Sequence, residues 1–224
     1  GSIYGGPVYP GKWSMVTLTY DDTQYRMYVD GVEVTTTNAL SGTPDGTETW
    51  FNDLGDGVFD AICIGALLRN NVVNYFDGQI AGFGIWSSVL TATQISAMHD
   101  LGPGGNWNTD YSSGLVDYWS MGNVTGEGDD MVTEGSTIYS QVTSGNDLTD
   151  VSLSAPFAGH TIVVGNDTKH KTTQSVFGGS SIYFDGTGDY LQVANPPANV
   201  DFNIWASEDV DSTVEAWCYF VAAP

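Results

Sequence analysis

Between Trp13 and Thr36 the residues alternate with period two and are cut twice by turn chemistry. Trp13–Tyr20 is rich in β-branched and aromatic side chains, which suits a pleated, half-buried strand. Asp21-Asp22-Thr23-Gln24 reads as a turn, and Tyr25, Met27 and Val29 then share one face of a second strand. Asp30-Gly31 supplies the two residues that tolerate the positive φ of a type I′ hairpin, and Val32–Thr36 returns. A three-strand meander of this kind excludes an all-helical fold. Its apolar face has to be covered by a second layer.

The rest of the chain extends the same pattern. Residues from about Asn38 to Asp60 are polar and glycine-rich and read as a long loop or irregular hairpin. Ala61–Ala66 and Tyr75–Trp86 are strand regions. One stretch reads as helix: Thr91-Ala92-Thr93-Gln94 is a capping box, Ile95 and Met98 face inward, and Gly102-Pro103 ends it. Gly102–Ser113 has a linker composition. Strands resume at Leu115–Met121, Ser181–Asp185, Asp189–Ala194 and Thr213–Val221. Val124–Phe177 is weakly patterned, with apolar pulses at Ile138-Tyr139 and Thr161–Val164. The expected class is all-β with one short helix.

Composition narrows the partners. Hydrophobic residues make up 41% of the 224, enough to fill a core. Against 27 acidic residues stand Lys12, Arg26, Arg69, Lys169 and Lys171 alone, for a net charge of -22. Such a surface repels nucleic acid and anionic membranes, because phosphate recognition needs clustered bases. It suits solvation, and it can feed divalent cation sites. No apolar run is long enough to span a membrane as a helix. Cys63 and Cys218 both lie inside apolar runs and read as two buried thiols rather than a bridge.

Several segments together resemble the concanavalin A-like, laminin-G-type jelly roll. Trp13–Asp21, Tyr25–Gly31, Ile64-Gly65, Phe76-Asp77-Gly78-Gln79-Ile80, Phe83–Trp86 and Val89–Ile95 resemble its closing half. Leu115–Met121, Ser144–Leu148, Phe184–Val193 and Thr213–Trp217 resemble its opening half. The resemblance implies an antiparallel β-sandwich. Tandem units of this type in structural proteins of marine bacteriophages are similar to the segments around Leu115–Gly122 and Thr91–Asp100.

The order of the halves is unusual: residues 1–101 carry the closing half, 102–113 the linker, and 114–224 the opening half. Neither buries its inner face alone. Three arrangements satisfy this: an excerpt of a longer tandem array, which is preferred; one chain whose halves complement each other as in a circular permutant; or completion by a neighbouring chain, giving a head-to-tail oligomer.

Candidate sites follow from residue type. Relatives that hydrolyse β-glucans carry Glu-x-Asp-x-(x)-Glu on one strand. The nearest stretch here, Glu208 to Glu215 through Asp211, has a different spacing, which puts Glu208 and Asp211 on opposite strand faces. With no Gly-x-Ser-x-Gly elbow and no close Cys/His spacing, an enzyme is not expected. Relatives often hold one structural Ca²⁺. Asp77, Asp185 and Asp189 are the candidate ligands, and the alternative is that their Asp-Gly pairs simply make turns. Trp50 and Phe51 in the long loop, Trp107 and Tyr111 in the linker, and Trp205 in a polar stretch are the candidates for stacking on a glycan or partner. The expected function is a non-enzymatic structural or adhesive protein of an extracellular or virion surface, partnered by other protein chains or by glycans. The alternative is a carbohydrate-binding module of a secreted bacterial protein.

Overall fold

A computed structural model describes residues 2–5, 8–21, 24–39, 62–68, 72–102, 107–119, 121, 137–138, 162–165, 168–171, 174, 181–193 and 211–221. Eighteen elements are defined among them. The first group is β1 (Ser2–Gly5), β2 (Trp13–Tyr20), β3 (Tyr25–Val29), β4 (Val32–Val34), β5 (Thr36–Ala39), β6 (Ile62–Ile64), β7 (Leu67–Leu68), β8 (Val72–Val73) and β9 (Asp77–Trp86). The helices α1 (Ala92–Leu101) and α2 (Trp107–Asp110) follow. The second group is β10 (Leu115–Trp119), β11 (Thr137–Ile138), β12 (Ile162–Gly165), β13 (Lys169–Lys171), β14 (Ser181–Asp185), β15 (Tyr190–Val193) and β16 (Ser212–Phe220).

All the pairings are antiparallel. The large sheet runs β13-β14-β9-β16-β2-β3-β4, with β10 also on β9. A second sheet runs β11-β12-β15-β6. The meander forms as its sequence predicts, and Asp30 (φ 50) and Gly31 (φ 77) both take positive φ at the hairpin tip. The Asp30 carboxylate accepts from the Met15 N–H at 2.9 Å, fastening that tip to β2.

The large sheet is covered on both faces. On one side Ile80, Phe83, Ile85, Trp119, Ile182 and Phe184 meet Ile64 and Leu191 of the second sheet, which is the sandwich core. On the other, Met15, Tyr28, Ala81, Trp86, Leu115, Tyr118 and Trp217 are covered by Ile95 and Met98 of α1 and by Trp107 of α2. The arrangement is the antiparallel concanavalin A-like sandwich with a short helix that the strand pattern and resemblance imply. α1 starts at the Thr91–Gln94 capping box and docks against the hairpin, where the Gly31 backbone abuts Ser96 and His99.

Strands from the two sequence halves interleave. β16 lies between β2 and β9 and pairs with each over eight residues. β10 and β14 both pair with β9, along its two ends. Among the described residues between the halves, α2 is one helical turn, and the Trp86 indole N–H donates to the Tyr111 carbonyl at 2.8 Å. Ser87 N–H donates to the Gly114 carbonyl at 2.8 Å, holding the end of the segment against β9. Short strands β1, β7, β8 and β13 carry too few residues to show a period and were not legible in the sequence.

Candidate functional site

Two places gather polar side chains. The first is a corner where β9 starts and β14 ends. There Asp77 and Asp185 are direct cross-strand partners, and Asp189 follows on the turn. Two of the sequence's three candidate metal ligands are thus cross-strand neighbours, and the third lies four residues further on. Asp77 and Asp185 are exposed, while Asp189 is buried. The Asp189 carboxylate accepts from the Asp185 N–H at 2.8 Å, and the Asp185 carboxylate accepts from the Thr187 N–H at 2.7 Å. Gly186 (φ 80) and Gly188 (φ 86) allow the chain to turn this tightly. A calcium ion takes about six to eight oxygens. Among the described residues no group of three His, Cys, Asp or Glu side chains is placed to hold a metal. As arranged, the Asp185 and Asp189 carboxylates are acceptors that close a turn.

The second place lies inside, on the helix-covered face. Register aligns Tyr28, Thr17, Glu215, Gly84 and Tyr118 in one row across β3, β2, β16, β9 and β10. Thr19 and Thr213 form the neighbouring pair. Glu215 is 0% exposed, and among the described residues neither carboxyl oxygen finds a hydrogen-bond partner. Burial pushes its carboxyl well above the usual carboxylate range. The Trp86 ring folds back over the row, so that a Cβ on Gly84 would lie 2.6 Å from it. Sequence reasoning weighed Glu215 only as the end of the Glu208–Asp211–Glu215 stretch. The signal it missed is the alternation Thr213-Val-Glu215-Ala-Trp217, which puts the acid on the same inward face as the tryptophan.

The aromatic candidates separate. Trp107 is 0% exposed and packs on Trp86 and Tyr118, with ring centroids 6.2 and 5.1 Å away. This corrects its reading as a stacking platform: the turn of α2 inserts it under the helix-covered face, where its ring is core. Tyr111 is half-buried against the same cluster, and burial raises its phenol pKa. Trp50, Phe51 and Trp205 lie outside the described residues. Both cysteines are free and half-buried, and burial raises them to about 11 for Cys63 and about 12 for Cys218. Neither is a ready nucleophile.

Residues 3–96 match a laminin G family model described as the concanavalin A-like lectin/glucanases superfamily. This stretch is similar to that superfamily. It holds β1 to β9 and the start of α1, the part that the sequence resembles as a closing half. No curated protein and no solved structure matches the chain significantly. The concanavalin A-like fold hosts many functions, so the reading of function has to come from the side chains. Among the described residues, no helix is long and apolar enough to cross a membrane.

Proposed function

We propose that this chain is a non-catalytic structural or adhesive concanavalin A-like module of an extracellular or virion surface, engaging other protein chains or glycans. The observation that carries this reading is the placement of Glu215. It is the acid on the strand that resembles the acid-bearing strand of β-glucan hydrolases, and it is sealed beneath α1, α2 and Trp86. Asp211, exposed at the strand's start, is four residues away. The two acids differ in access: Asp211 meets solvent and Glu215 does not. Weakly nucleophilic thiols and a strongly acidic surface agree with a role in contact rather than turnover.

The test incubates the chain with a panel of β-glucans and reads reducing ends, beside a glycan array. No release of reducing ends is expected. Turnover that Asp211→Asn abolishes would overturn the reading. Array binding without turnover would select the carbohydrate-binding form of it.

A further inference from the structure

We infer that Thr17, Thr19 and Glu215 form an internal hydration site, which takes one or a few long-lived water molecules between the large sheet and its helical cover. Thr17 and Glu215 are direct cross-strand partners, and Thr19 lies two residues along β2 on the same face. All three are 0% exposed. Among the described residues, Thr17 Oγ1, Thr19 Oγ1 and both Glu215 carboxyl oxygens make no hydrogen bond to another protein group. Thr213, next in the same patch, shows the contrast. Its hydroxyl donates to the Ser88 carbonyl at 2.8 Å and accepts from the Leu90 N–H at 2.9 Å.

The spacing suits water. Direct cross-strand partners hold their Cβ atoms about 5 Å apart and diagonal neighbours about 7–8 Å. One water accepting and donating bonds of about 2.8 Å bridges oxygens some 5.5 Å apart. A buried water needs about two to four polar partners, and the hydroxyls and the carboxyl supply that number. A protonated carboxyl offers a donor and an acceptor, and each threonine offers one donor and two acceptor positions. The groups set around the row are Tyr28, Tyr111 and Tyr118, with His99 stacked on Trp217 one step further along the sheet. Among the described residues, none of these places a fixed positive charge against Glu215 that would favour its carboxylate. A buried carboxyl among hydroxyls, with no positive charge set against it, is a site for water and a poor one for a cation.

Water ¹⁷O and ²H relaxation dispersion on the whole chain counts such molecules. Glu215→Leu is expected to remove at least one long-lived water from the wild-type amplitude, whereas Glu215→Gln keeps it. Thr17→Val, which preserves shape, is the second variant should Glu215→Leu fail to fold, and it is expected to lower the amplitude too. An unchanged amplitude in folded Glu215→Leu or Thr17→Val overturns the inference. So does a melting temperature that shifts when sodium is exchanged for potassium or choline at constant ionic strength, since that outcome assigns the patch to a cation.

Discussion

The Thr213 hydroxyl donates to the Ser88 carbonyl at 2.8 Å across 125 positions of sequence. The same oxygen accepts from the Leu90 N–H, so one side chain of β16 fixes the loop that leads into α1. Strand and helical cover are thereby locked together at the centre of the sheet.

Thr213→Val keeps the shape of the side chain and removes both bonds. The buried Leu90 N–H then has no acceptor, a loss of about 1–3 kcal/mol. Urea unfolding is expected to show a lower midpoint with an unchanged slope. An unchanged midpoint would mean that the loop finds other partners.

Glu215 predicts a pH dependence of definite sign. Its folded pKa is raised well above 4.5 by burial, so the folded chain keeps a proton that the unfolded chain has released. The stability that this proton represents is full below about pH 4.5 and declines as pH rises toward the folded value, by up to ~1.4 kcal/mol per pH unit. Glu215→Gln lacks this slope and is expected to be more stable than wild type at pH 8. The difference between the two unfolding free energies across pH 4–9 isolates this one group from the repulsion of the other acids. A flat difference would show that Glu215 ionises in the folded chain as readily as in the unfolded one.

The acidic corner predicts a stability effect with little dependence on calcium. Asp189→Ala strips the acceptor from the Asp185 N–H and is expected to cost about 1–2 kcal/mol. Chelator is expected to leave the melting temperature unchanged in wild type and variant. A chelator-induced drop of several degrees, absent in Asp189→Ala, would instead make this corner a structural calcium site.

Trp107→Ala removes a fully buried ring from between Trp86 and Tyr118 and is expected to destabilise by about 3–5 kcal/mol. Calorimetry checks this. A variant of wild-type stability that has lost binding to a glycan or protein would return Trp107 to the ligand-contacting set.

Much of the architecture was legible because local chemistry dictates it. The Asp30-Gly31 turn, the Thr91–Gln94 box and the alternation of Trp13–Tyr20 each name their own conformation. Period two also assigns faces, and on that count Glu215 could have been read as inward from Trp217. It does not name partners: β16 finds β2 and β9 about two hundred and about 130 positions away, so no window on the sequence contains the pairing. Trp107 was misread for a related reason. A glycine- and asparagine-rich segment has the composition of a linker, yet one turn of helix within it suffices to bury an indole.

The central place of β16 has a consequence for synthesis. Ser212 emerges 126 positions after Trp86, the end of β9. At about 5–20 residues per second that interval is roughly 6–25 s, during which the strand edges of β2 and β9 that pair with β16 lack that partner. Two apolar strand edges held open for that long are a template for pairing with other nascent chains. Production of this protein should therefore depend on chaperones that shield such edges, and slowing translation should lower the yield of folded chain rather than raise it.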